Sequence, residues 1–143
     1  MQNPSSNVCA VQTIAPSILT TVQGWRQMAR QRDFSAAAGL LHPEAVLHSP
    51  LGREGLQGGA QVAGILCMAI GLYSAFSFGD PLWRDGGHQV ALPFEGQMGP
   101  HAARGLDLLT FDADGRVTAI EVFMRPLAVV TYLAQQVAAL QPA

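Results

Sequence analysis

A carboxylate set among aliphatic residues is the clearest chemical feature of this chain. Asp107 lies inside Gly105-Leu-Asp-Leu-Leu-Thr-Phe111, a segment otherwise suited to the middle of a β-sheet. Ionising a carboxyl on an apolar face is costly, so its pKa rises. The group then serves as a neutral hydrogen-bond donor or as a general acid/base. Which face it occupies depends on register. If residues 112–115 form a four-residue turn, Phe111 faces Arg116, and Asp107, Leu109 and Phe111 share a face with Ile120, Val122 and Met124. A three-residue turn instead sets Asp107 beside Glu121 on the opposite face, within reach of Arg104 or Arg125. Both registers stay open at this level.

Other polar residues offer less. His42, His48, His88 and His101 show no HxH, HxxxH or HExxH spacing, and Cys9 and Cys67 form no ligand pair, so the pattern supports no metal site. His88 shares a face with Val90, Leu92 and Phe94, which allows it to reach an internal cavity. Its place beside Gly86-Gly87 equally suits a solvated rim. Trp25 belongs to the apolar stripe of the first helix, either as core or as an indole N–H donor to a cavity. Asp33 reads as a helix N-cap. Gly58-Gly59 precedes a helix, but no GxGxxG or Lys-Ser/Thr follows, so no cofactor motif is present. Asp107 is thus the one clear titratable group expected inside.

The elements that must place these residues follow from periodicity. A polar lead-in covers residues 1–15, and a single domain covers 16–143. A helix opens at Pro16 or Ser17, with Ile18, Leu19, Val22, Trp25, Met28 and Ala29 on one stripe and Arg30, Gln31 and Arg32 at its end. A second short helix is expected over 34–41, ended by His42-Pro43. A short strand over 44–50 and a glycine-rich loop lead to a nearly charge-free helix over 60–72, which should be buried on most sides. From Ser74 the period becomes two, with Phe76 and Phe78 alternating with serines. Asp85-Gly86-Gly87 is a turn, 96–103 a looser stretch, and the last strand runs from Val117 to Met124. Arg125-Pro126 opens a closing helix. Helices first, then an antiparallel meander, then a helix, give an α+β protein with segregated elements.

Composition narrows the function classes. The chain has 143 residues, is 49% hydrophobic and 13% charged, and carries a formal net charge of −2. It contains no lysine, which removes Schiff-base chemistry through a side chain. No basic run exists to neutralise phosphates, so nucleic acid is not an expected partner. The longest apolar run, 62–73, is about a dozen residues against the ~20 needed to span a bilayer, and residues 1–16 lack the pattern of a signal peptide. The expected location is the cytoplasm. Leu106, Leu108, Val117, Ala119 and Phe123 would make the second sheet face apolar too, which predicts a symmetric homodimer.

Three segments carry a resemblance: Arg32-Asp-Phe-Ser-Ala-Ala37, Leu41-His-Pro-Glu-Ala-Val-Leu-His-Ser-Pro50, and above all the stretch from Gly105 to Ile120. In these the chain resembles the NTF2-like superfamily, which includes ketosteroid isomerases, SnoaL-type polyketide cyclases, limonene epoxide hydrolases and scytalone dehydratase. The resemblance spans about residues 17–127. It implies a curved antiparallel sheet wrapped by helices into a cone (a cystatin-like α+β barrel) with an apolar pocket inside and usually a homodimer. Laid on this sequence, the isomerases' general-base aspartate falls at Ser49, their oxyanion-hole tyrosine at Trp25, and their second oxyanion donor at Asp107. Serine cannot hold a proton reversibly near neutral pH, so the ketosteroid isomerase mechanism is not expected. In some cyclases of the superfamily a late-strand aspartate is the acid/base, a role that Asp107 would fill. The Asp–Arg–Asp grouping of its epoxide hydrolases is approached by Arg104 and Asp107, at a different spacing.

The expectation is therefore an enzyme acting on a mostly apolar, oxygen-bearing small molecule by isomerisation, cyclisation, dehydration or epoxide opening. Asp107 would be catalytic, and Trp25, Ser49, His88, Phe94, Phe111, Val122 and Met124 would contact substrate, without cofactor or metal. The competing expectation is a non-catalytic module of the same fold that binds a hydrophobic ligand or dimerises.

Overall fold

The first helix forms where an apolar stripe coincides with a proline start. In the computed structural model, which describes residues 13–52 and 54–140, α1 runs Pro16–Gln31 with the proline in its first turn. Ile18, Thr21, Val22, Trp25, Met28 and Ala29 are buried, the three- and four-residue spacing of a single face. Arg32 ends the helix at φ 55, and its backbone N–H donates to Ala29 O at 3.0 Å. The Thr21 hydroxyl donates to Gly115 O at 2.6 Å, tying this helix to the turn between the last two strands.

The short helix expected over 34–41 does not form. A single 3-10 turn, Ala37–Gly39, stands there, and strand β1 (Leu41–His48) begins at once. Asp33 does not cap a helix. Its Oδ1 accepts the N–H of Ser35, two residues on, at 2.9 Å, which closes a local turn and holds the carboxyl below its ordinary pKa. The backbone of Leu41 is then claimed by the sheet, where it pairs with Val117. The alanine-rich composition favoured a helix, and the ladder overrode it.

Six further strands complete the sheet: β2 (Leu56–Gln57), β3 (Tyr73–Phe78), β4 (Leu82–Arg84), β5 (Gln89–Met98), β6 (His101–Phe111) and β7 (Val117–Arg125). The order is β2-β1-β7-β6-β5-β3, with β4 pairing β5. All pairs are antiparallel except β1 with β7, a parallel pair that the antiparallel expectation did not contain. The sheet is curved and does not close. Helix α2 (Gly59–Ile70) lies on β1, and α3 (Leu127–Leu140) follows β7. The looser stretch expected over 96–103 is instead regular hairpin, because Met98 pairs with His101 across a two-residue turn with Gly99 at φ +57.

Two irregularities decide which side chains face inward. Between β6 and β7, Thr110 pairs with Ala119 but Phe111 with Val117, so Thr118 is an extra residue on β7. The bulge turns Val117 into the core, fully buried, although strict alternation assigned it to the outer face with Ala119. It also sets Asp107 opposite Val122 and Leu109 opposite Ile120. The second irregularity lies between Tyr73 and Ala75 on β3.

The packed core sits toward the Gly115 end of the sheet, where Val90, Leu109, Phe111, Val117 and Ile120 are all 1% exposed or less. Of the lead-in expected over 1–15, residues 1–12 lie outside the described part. Ile14 packs on the core, and the Ala15 N–H donates to Gly86 O at 2.8 Å. Among the described residues no helix is long and apolar enough to cross a membrane.

Candidate active site

Toward the other end of the sheet the core opens into a cavity of about 490 Å³. This lies within the usual size of small-molecule sites. Its wall is built from α1, the end of β1, α2, the inner faces of β3, β5, β6 and β7, and α3. Helix α2 was expected to be buried on most sides. Only Gly59, Val62, Ala63 and Ile70 are, while Ile65, Leu66, Met68 and Ala69 are half-buried because they border the cavity.

Asp107 is the carboxylate on this wall. It stands on β6 between Leu92 of β5 and Val122 of β7 and is 9% exposed. Its side chain makes no hydrogen bond with any described residue, and no arginine or histidine lines the cavity. Nothing offsets the loss of water, and desolvation by burial pushes the carboxyl from 3.8 up to about 7. The register is neither of the two expected: Phe111 pairs with Val117 instead of facing Arg116, and Asp107 pairs with Val122, on the face that the four-residue turn implied, while Glu121 pairs with Leu108 and points away. Arg104 and Arg125 are both exposed, and Arg104 sits 3.9 Å from Glu95 on the outer face. The Arg104–Asp107 grouping that an epoxide hydrolase of this fold would need is therefore not assembled.

The other sequence candidates divide. Trp25, Ser49, Phe94, Val122 and Met124 line the cavity with Asp107. Trp25 is fully buried and meets Phe34 edge-on at 5.6 Å, and its Nε1 has no hydrogen-bond partner. Ser49 is half-buried at the end of β1, its Oγ accepting the Leu51 N–H at 3.1 Å. Two candidates lie elsewhere. His88 is exposed and precedes β5, because the turn at Asp85–Gly87 carries it out before the inner face begins. Phe111 is 1% exposed in the packed core and does not reach the cavity, since the bulge places it beyond Leu109 against Val117.

One polar residue of the wall was not anticipated. Tyr73 is 7% exposed and faces the cavity from the start of β3. Strict alternation back from Phe78 and Phe76 puts Ser74 on the inner face and Tyr73 outside. The irregularity between Tyr73 and Ala75 reverses this and joins Tyr73 to the phenylalanines. Its ring meets Phe76 at 4.9 Å and Phe94 at 6.5 Å, both edge-on, and Phe76 stacks on Phe94 at 5.2 Å. Burial raises the phenol's pKa, and the Asp107 carboxylate raises it further. The cavity thus has a second titratable group. The available signal was composition: this is one of two tyrosines in the chain, at the mouth of an aromatic run.

An apolar cavity with a carboxyl poised near neutrality and a phenol close enough to feel its charge can hold, polarise or protonate a single oxygen of an apolar molecule. Among the described residues no three His, Cys, Asp or Glu side chains come together as metal ligands would.

No family model and no curated protein matches this chain. Solved structures do. A steroid delta-isomerase from Pseudomonas aeruginosa is 28% identical over 88% of this chain and 92% of its own, with a TM-score of 0.84. An uncharacterised protein with a cystatin-like fold from Silicibacter pomeroyi is 26% identical over 83% of each chain, with a TM-score of 0.78. An NTF2-like protein of unknown function from Cytophaga hutchinsonii is 16% identical, at a TM-score of 0.63 over 84% of this chain and 98% of that one, a likeness of fold alone. Sheet order, internal cavity and these likenesses agree on the fold, which is that of the cystatin-like and NTF2-like proteins.

Proposed function

We propose that this protein is an enzyme that performs acid/base chemistry on a mostly apolar small molecule bearing one reactive oxygen, with Asp107 as its catalytic group. One observation carries the reading: Asp107 is a buried carboxyl on a cavity wall with no protein partner, and its proton affinity is brought to about 7. A structural carboxylate in an apolar interior is ordinarily paired. One left unpaired beside open space is poised to act on what enters that space.

Near neutral pH both forms of Asp107 are populated, as suits a group that gives and takes the same proton. In its acid form the carboxyl O–H donates to a carbonyl or hydroxyl oxygen as negative charge develops there, or protonates it as it leaves. In its base form it removes a proton from a carbon or oxygen held against it. Isomerisation, cyclisation and dehydration all use these steps. Ser49 does not supply a base, since its hydroxyl is already engaged by the Leu51 N–H and has no proton acceptor beside it.

The test is a ligand screen by thermal shift on the wild type and Asp107→Asn, with hydrophobic ketones, phenols and polyketide-like esters, followed by turnover assays on the hits. A ligand at 100 times its Kd adds roughly 2.7 kcal/mol. Hits weakened by the substitution, and turnover lost with it, support the reading. Turnover that survives Asp107→Asn ends it. Binding that survives without any turnover in the wild type favours a carrier of hydrophobic ligands.

We further propose a homodimer through the outer sheet face, where Leu106, Leu108 and Ala119 are half-buried and Phe123 is 47% exposed. A second copy of the same face is the self-complementary cover for such a patch.

A further inference from the structure

We propose that Met68, Met98 and Met124 make the cavity adaptable, so that the protein takes apolar phenols and ketones of differing outline and selects them by a single oxygen, not by shape. The place of that oxygen at Asp107 rests on the acid/base reading above. The adaptability of the wall does not.

Three of the chain's five methionines line the cavity, and each comes from a different element: Met68 from α2, Met98 from β5 and Met124 from β7. A thioether side chain is unbranched, turns about three bonds and is polarisable, so it repacks against a new neighbour at little cost. Leucine or isoleucine at these places would hold a better-defined outline.

The aromatic part of the wall behaves in the opposite way. The Phe94 ring lies over Gly105, where an added Cβ would come within 2.7 Å of its Cζ, and it stacks on Phe76 at 5.2 Å. The Tyr73 ring lies over Gly96 likewise, within 2.8 Å of an added Cβ. Two glycines thus give these rings fixed seats, and the rings present one set surface. The sheet methionines stand at its borders, because register puts Met98 opposite Tyr73 and Met124 opposite Gly105. A ligand can rest against the fixed rings while its flanks are met by side chains that move.

Polar groups do little to narrow the choice further. Apart from Asp107, no charged side chain among the described residues lines the cavity. Orientation and specificity in apolar sites come from a few placed polar groups, and the rest of the selection falls to packing. Here the methionines relax that packing.

The probes are 2-naphthol, 4-phenylphenol and 4-tert-butylphenol, which share a hydroxyl and differ in outline. With the methionine methyls labelled by carbon-13, each phenol should move the signals of Met68, Met98 and Met124 to its own set of positions. Met28, buried on the first helix and outside the wall, should stay in place. In calorimetry the wild type should bind the three phenols within about fivefold of one another. Exchanging Met68 and Met124 together for leucine keeps the volume but branches the side chain, and should spread the affinities beyond about tenfold. Methyl signals that take the same positions with every phenol overturn the inference, and this readout needs no variant to fold. So does a spread that the leucine exchange leaves unchanged, or no binding of any phenol at millimolar concentration. Asp107→Asn separates the two readings. If it removes the pH dependence of binding while the methyls answer every phenol alike, only the role of the methionines falls. If it is silent while the methyls answer each phenol differently, the acid/base reading falls and the adaptable wall stands.

Discussion

Replacing Asp107 by asparagine should stabilise the protein at alkaline pH and leave it nearly unchanged in acid. The carboxyl titrates near 3.8 when solvated and near 7 in the fold. Between those values the folded state holds a proton that the unfolded state has released, so stability falls as pH rises. Each pH unit in that window costs about 1.4 kcal/mol, and the full loss above pH 7 is about 4 kcal/mol. Asparagine has nearly the shape of the neutral acid and does not titrate. Between pH 5 and pH 8 the wild type should therefore lose about 3 kcal/mol relative to Asp107→Asn. For a domain of this size that is on the order of 10 °C in melting temperature. Paired thermal melts across that range, without ligand, measure the difference directly. Parallel curves would refute the argument, because they would mean that Asp107 is ionised in the fold and already stabilised by a partner.

Three further outcomes follow from particular contacts. His88→Ala should leave the affinity for any cavity ligand within twofold of the wild type in calorimetry, since the residue is exposed and outside the wall. Gly115→Ala should cost more than about 1 kcal/mol in urea unfolding, because Gly115 has φ +83 and a Cβ there would meet Ser17 O at 2.7 Å. Phe123→Asp should yield monomers by sedimentation at micromolar concentration while the melting curve stays cooperative; a wild type that is already monomeric would remove the homodimer from the proposal.

How far the sequence could be read depended on how local the determinants were. Helix α1 is legible because its proline start, apolar stripe and basic end all lie within one segment. The face of Asp107 was legible as an alternative between two registers. The outcome was fixed by an extra residue at Thr118 that no alternation pattern announces. The same kind of irregularity hid Tyr73, since one displaced residue in β3 exchanges the inner and outer faces before it. The helix expected over 34–41 failed for a different reason. Local propensity favoured it, but a ladder partner about seventy-five residues away, Val117, claimed Leu41. His88 was misplaced by extending a strand's face one residue too far, into the turn that precedes it. Non-local pairing and bulges are where reading by pattern stops.

The position of the core decides which parts of the chain a ligand would steady. One end of the sheet is solid, with Val90, Leu109, Phe111, Val117 and Ile120 closing on one another, while the other end is hollow beneath α2 and α3. Along the hollow end part of the inner face of those helices borders open space instead of side chains, so less packing holds them there than holds the solid end. Amide exchange should divide the molecule accordingly, with the slowest protons around the Gly115 turn and the fastest structured ones in the helices over the cavity. A ligand that fills the cavity supplies the missing packing beneath those helices, and should slow exchange there first.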